Sequence, residues 1–204
     1  MHISDGIISV EVAITTGVVA TLFCAYALKK LSNEKIALVA ALSALFFVTS
    51  FIHIPFGPTQ IHLMLLGFIG IFLGNLAFLS ISIALILQAL LLGFGGLTSL
   101  GANIIIMATP AFMVYLIFKL NIMKKINEKI RFFLVGFIGV FISSIFLFII
   151  LVLSKEEYLA VGYSVMAVNI PTMILEGIIT LFLLLYIKKV MPNLLKDTSL
   201  CWDI

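Results

Sequence analysis

The sequence predicts an all-helical integral membrane protein of about seven transmembrane helices, with its N-terminus outside and its C-terminus in the cytoplasm. Three observations carry that prediction. Of 204 residues, 63% are hydrophobic and only 10% charged, whereas globular chains carry roughly 25% charged residues. Apolar runs long enough for a hydrocarbon core of roughly 30 Å recur along the chain. The basic residues, finally, fall almost entirely on one side of the topology that those runs define.

Residues 7–28 form the first expected span. No basic stretch precedes it and no cleavage signal follows, so Met1 is expected to stay in the mature chain. Residues 36–54 form the second, ending at Pro55. The third and fourth, 63–73 and 76–94, flank the uncharged turn Gly74-Asn75. The fifth, 103–118, contains Pro110, which is expected to kink it. Residues 132–153 and 165–187 complete the set. The whole chain, 1–204, is then one transmembrane domain, with 1–6 as an N-terminal segment and 191–204 as a cytoplasmic tail. In this topology Lys29, Lys30, Lys35, Lys119, Lys124, Lys125, Lys129, Arg131, Lys188, Lys189 and Lys196 are cytoplasmic, and only Lys155 of the 12 basic residues is not. The expected setting is a cell membrane, with lipid as the surrounding partner. Cys24 and Cys201 imply no disulfide framework.

The same topology places residues 1–6, 55–62 and 95–102 together on the outer face. His2 and His62 lie in these stretches, and His53 ends the span that leads to the second. The Met1 amine, the His2 amide nitrogen and the His2 imidazole can close a five-membered and a six-membered chelate ring around one metal. Planar nitrogen ligation with an open fourth position suits Ni(II) or Cu(II). His62 follows a Gly-Pro bend, and an ionisable residue at such a place marks a functional site. His53 is either a further ligand or gate, or a polar span end. Asn103 is either a donor that orients a metal ligand or a helix cap, and Asp5 is a further candidate for an orienting or gating role. The glycines between Gly93 and Asn103 lack the lysine and spacing of a phosphate loop. They are expected to let backbone pass close beneath the N-terminal segment.

Glu11 and Glu176 are carboxylates within apolar spans, and Glu176, in mid-span, needs a partner or a proton. Small residues recur along the first span at Gly17, Ala20, Thr21 and Ala25. This stripe suits close approach of a helix, either from a partner subunit or from the same chain. No catalytic grouping or nucleotide-binding loop is visible, so neither an enzyme nor a nucleic-acid partner is expected, and no catalytic cofactor.

Four ordered motifs then acquire a common meaning. They are Met1-His2-Ile3-Ser4-Asp5-Gly6, Gly57-Pro58-Thr59 with His62-Leu63, Gly95-Gly96-Leu97-Thr98 with Gly101-Ala102-Asn103, and Pro171 with Met173-Ile174 and Glu176-Gly177. Over nearly its whole length the chain resembles the CbiM/NikM family, the membrane-embedded substrate-capture component of nickel/cobalt energy-coupling-factor transporters. The resemblance implies seven spans with the N-terminus folded into the core. It implies Ni2+ or Co2+ as cargo, held by the Met1 amine, the His2 amide and imidazole, and His62. It also implies partners: a transmembrane coupling subunit, ATPase subunits and a small accessory membrane subunit. Ser4 and His53 depart from the residues usual in the family. A passive metal permease working without ATPase partners is the alternative.

Overall fold

The computed structural model describes residues 3–56 and 59–196, excluding the side chains of 53–61 and 196. Its helices are α1 (Val10–Lys29), α2 (Asn33–Thr49), α3 (Leu66–Leu73), α4 (Ala77–Leu92), α5 (Leu100–Phe118), α6 (Asn121–Lys124), α7 (Glu128–Ser154), α8 (Leu159–Val190) and α9 (Pro192–Lys196). Two short strands, β1 (His53–Phe56) and β2 (Thr59–His62), form an antiparallel ribbon that sets His53 opposite His62. The sequence offered only a bend here, because a four-residue strand in an apolar context has no periodicity of its own.

Five runs among the described residues are long and apolar enough to cross a membrane: Val10–Lys29, Leu66–Leu92, Leu100–Phe118, Glu128–Ser154 and Glu156–Val190. The chain is thus a multi-pass membrane protein. The second expected span is α2, of 17 residues, at the short end of what crosses a bilayer. The third shrinks to α3, of 8 residues, about 12 Å at ~1.5 Å per residue and under half of a bilayer core. Gly74, at φ 55 and ψ −122, breaks the helix between α3 and α4.

Hydrogen bonds from the 97–99 loop to Asp5 put the starts of α1 and α5 and the end of α4 at one end of the bundle, the near end. Lys29 and Lys30 at the end of α1, and Lys188 at the end of α8, lie at the far end. There Lys188 pairs with Glu128 of α7 at 2.8 Å.

The centre of the bundle is α3. Every side of it is apolar, and seven of its eight residues are buried, as a helix without a polar face requires. Two of its glycines explain how it fits. A Cβ on Gly67 would meet the Val135 carbonyl of α7 at 1.9 Å, and one on Gly70 would meet the Ala111 carbonyl of α5 at 2.0 Å. Pro110 sits inside α5 without ending it. Its missing N–H leaves the Ile106 carbonyl unused by the helix, and the Ser143 hydroxyl of α7 donates to that oxygen at 2.8 Å. The peptide group is thereby satisfied where no water is at hand. By contrast α1 is sparsely covered. Val10, Ile14, Val18 and Leu22 are exposed at helical spacing, a face suited to lipid tails.

Candidate functional site

At the near end, the N-terminal segment is held by side chains that bond to its backbone. The Ile3 N–H donates to Asn103 Oδ1 at 2.9 Å, and Asn103 Nδ2 donates back to the Ile3 carbonyl at 3.0 Å. The Ser99 hydroxyl donates to the same carbonyl at 2.7 Å. Ile3, Ser99 and Asn103 are all buried. The Ile3 side chain lines a cleft together with Ile7, Leu147, Leu151 and Val165. Asn103 is therefore no helix cap. It stands in the first turn of α5 and mimics a strand partner for residue 3.

Two residues on, the Asp5 carboxylate accepts from the amides of Leu97 (3.2 Å), Thr98 (2.9 Å) and Ser99 (3.2 Å), and from the Thr98 hydroxyl (2.5 Å). These amides belong to the approach to α5, where helical backbone leaves donors unused and favours an anion. The Thr98 hydroxyl foremost, then the three amides, holds the Asp5 carboxyl below its ordinary value of 3.8. Gly96 makes the approach possible. Its φ is 79, and a Cβ there would lie 2.2 Å from the Asp5 carboxyl carbon. The glycine run thus does what its composition suggested, letting the N-terminal segment pass close over the loop.

The second cluster lies deeper. Glu176, fully buried in α8, accepts from the Met64 amide and, at 3.0 Å to each oxygen, from the Leu65 amide. These amides precede the first turn of α3. Leu65 has φ 51, the only positive value at a non-glycine among the described residues. Such a conformation costs roughly 1–2 kcal/mol and persists where surrounding contacts impose it. The partner that the sequence demanded for Glu176 is therefore backbone, with no basic side chain on it among the described residues.

The two clusters are stacked along α7. Gly139 packs on Gly67 at the start of α3, Ser143 bonds Ile106 of α5, and Leu147 lines the Ile3 cleft. From Gly139 to Leu147 is about 12 Å of helix at ~1.5 Å per residue. The β1–β2 ribbon joins the near end of α2 to α3, so His62 lies between α2 and the Glu176 junction. It is partly buried, with Nδ1 shielded from solvent. Met1, His2 and the His53 side chain lie outside the described residues, as do residues 197–204 of the expected tail. Among the described residues no three His, Cys, Asp or Glu side chains converge, so these residues build no thiolate- or carboxylate-rich centre.

The small-residue stripe of α1 divides. Gly17 packs against Gly101 of α5, where an added Cβ would lie 2.5 Å from the Gly17 Cα, and Ala20 is buried within the chain. Ala20 therefore serves internal packing, whereas the space in front of the Gly17 Cα, where a Cβ would stand, is open. Thr21 and Ala25 are exposed. Sequence reasoning missed Ser99, Thr98 and the Met64-Leu65 junction. The two hydroxyls stood beside the glycine run, and their position directly before an apolar helix was the signal available.

Residues 2–194 match the family described as CbiM, cobalt uptake substrate-specific transmembrane region. The chain is 31% identical over 217 residues to the cobalt transport protein CbiM of Lachnoclostridium phytofermentans, covering 98% of this chain and 87% of that one. Two solved structures share the fold. A truncated transition metal transporter superposes with a TM-score of 0.81 at 25% identity, covering 93% of this chain and 99% of its own. A second transition metal transporter gives 0.81 at 27% identity, covering 93% of each.

Proposed function

The chain belongs to the CbiM family of cobalt-uptake transmembrane proteins, and on that premise we propose that it captures Ni2+ or Co2+ at the near end for ATP-driven import. The ligands in this reading are the Met1 amine, the His2 amide and imidazole nitrogens, and His62. The observation that carries it is the double hydrogen bond between Ile3 and Asn103. The Ile3 N–H belongs to the peptide group that leaves His2, so Asn103 and Ser99 orient the backbone directly beside the chelate. Asp5 and the 97–99 loop hold the segment from its other side. Preorganisation of this kind stiffens a ligand set before the metal arrives.

The donor set is nitrogen only, which favours late transition metals over Mg2+ or Ca2+. The His2 amide must lose its proton to bind, so capture releases protons and weakens as pH falls. The far end carries Lys29, Lys30, Lys188 and Lys189 and is the cytoplasmic one in this reading. The near end then faces outward, and the N-terminus with it. Import energy comes from a transmembrane coupling subunit and ATPase subunits, assisted by a small accessory membrane subunit. The exposed Thr21 and Ala25 of α1 offer the coupling subunit a face where backbones can approach. His53, paired with His62 across the ribbon, is a gate or an additional ligand.

Calorimetric titration of the untagged protein with Ni(II) tests the reading. His2→Ala and His62→Ala are each expected to abolish tight binding while the helices stay folded. Near-native affinity in either variant contradicts the proposed ligand set.

A further inference from the structure

The Glu176 carboxylate is held in place unusually firmly for a mid-membrane acid. Its own backbone is wedged against α7: a Cβ on Gly136 would lie 2.3 Å from the Glu176 carbonyl oxygen, and one on Gly177 would meet the Phe133 ring at 2.5 Å. The element it grips is equally constrained. Gly67 lies with a virtual Cβ 1.9 Å from the Val135 carbonyl, and Gly139 one of 2.7 Å from the Gly67 nitrogen. Between these fixed bodies runs the short connector Leu63-Met64-Leu65. It is buried, it contains the positive-φ Leu65, and Glu176 takes both of its last two amides. Strand β2, which ends at His62, runs against the same helix α8.

A connector of three residues cannot swing when two of its amides are pinned to a rigid helix. Its direction on leaving β2 is therefore set by the carboxylate. We infer that Glu176 is a positioning residue for metal capture: by gripping the Met64 and Leu65 amides it fixes where the β2 end, and so His62, is presented. The residue has no contact with the metal in this role and acts through backbone alone. The inference rests on the reading of His62 as a ligand.

The requirement is for an acceptor of full length with two oxygens. Glutamine offers one oxygen and turns an N–H2 group toward an amide that also donates, which is a repulsive pairing. Aspartate keeps both oxygens and is one methylene short. Both substitutions leave His62 and the N-terminal segment chemically intact.

The test is titration of the full chain, with its native N-terminus, by Ni(II), followed by ligand-field absorbance. The variants are Glu176→Gln, Glu176→Asp, His62→Ala and the double variant His62→Ala/Glu176→Gln, each measured on its monodisperse fraction. Either Glu176 variant suffices should the other fail to fold. The expected result is a loss of affinity of roughly 10–100-fold in the Glu176 variants, the range seen when the supports of metal ligands are removed, together with a displaced absorbance band. In the His62→Ala background, where only the weak affinity of the N-terminal chelate remains, Glu176→Gln lowers that residual affinity no further, because the ligand that it positions is gone. Native affinity and a native band in the Glu176 variants, with binding lost in His62→Ala, overturn the positioning role alone. Unequal losses that simply add in the double variant overturn it as well, since they show that Glu176 acts independently of His62. Native affinity in His62→Ala overturns the ligand reading and this inference with it.

Discussion

Asp5 and Glu176 do the same thing in opposite surroundings. Each is a carboxylate that accepts consecutive backbone amides just before a helix, Asp5 from Leu97, Thr98 and Ser99 ahead of α5 and Glu176 from Met64 and Leu65 ahead of α3. Asp5 is exposed and Glu176 is fully buried. The difference lies in what replaces the carboxylate when it is removed. Water can reach the exposed Leu97 and Thr98 and satisfy their amides, while only Ser99 of the three is buried. Around Met64 and Leu65 the alternatives are apolar side chains, and an unsatisfied buried amide keeps its whole desolvation penalty. The near-end grip is therefore adjustable and the deep grip is structural, although both support the same proposed metal centre.

The largest effect expected from this contrast is at the deep grip. Glu176→Ala leaves two buried amides without their acceptor, at roughly 1–3 kcal/mol each, and also leaves Leu65 in its costly conformation. Thermal unfolding in detergent should show a marked fall in midpoint. A midpoint equal to that of Asp5→Ala would mean that the two carboxylates are not in different media.

Gly96→Ala should be intermediate. The added methyl group must occupy the space of the Asp5 carboxylate, at a φ that costs an L-residue roughly 1–2 kcal/mol. The bundle behind the loop is untouched. Metal affinity should thus fall by about tenfold with the unfolding midpoint little changed, as titration and thermal melts on one sample would show.

The smallest effect is a pH response of the near-end grip. The Asp5 carboxyl lies below its ordinary 3.8 when folded, mainly through the Thr98 hydroxyl. A depressed folded value means that the ionised form stabilises the fold above the ordinary value, and that this contribution is lost as pH falls through the lower one. Protection of the Leu97, Thr98 and Ser99 amides from hydrogen exchange, taken relative to their intrinsic rates, should accordingly hold at neutral pH and fall below about pH 4. In Asp5→Asn the same amides should show no such step. A step of equal size in Asp5→Asn would assign the response to another group.

Much of this arrangement was legible before any coordinates. Membrane embedding follows from composition alone, and the glycines ahead of Asn103 announced a close approach of chains. Asn103 stood out as a polar residue at the mouth of an apolar helix, while its helix-cap reading failed because its partner is residue 3, 100 positions away. Glu176 was legible as a problem, a carboxylate without a counter-ion. Its solution is backbone, and backbone donors carry no side-chain signature. The half-length of α3 escaped detection for a related reason: an apolar run of 11 residues at 63–73 looks the same whether it is a span or a connector leading into a half-helix. The α1 stripe was ambiguous in the sequence, since small residues serve contacts within a chain and between chains alike, and only burial separates Ala20 from Ala25.

The claim on which the functional reading stands is that the chain's own amine is a metal ligand. Ni(II) titration of the native protein against a form extended by a few residues before Met1 tests it directly, because the extension converts a primary amine into an amide and leaves every side chain in place. One tightly bound Ni(II) per native chain and none in the extended form is the result expected. Equal stoichiometry and affinity in the two forms would contradict the N-terminal chelate.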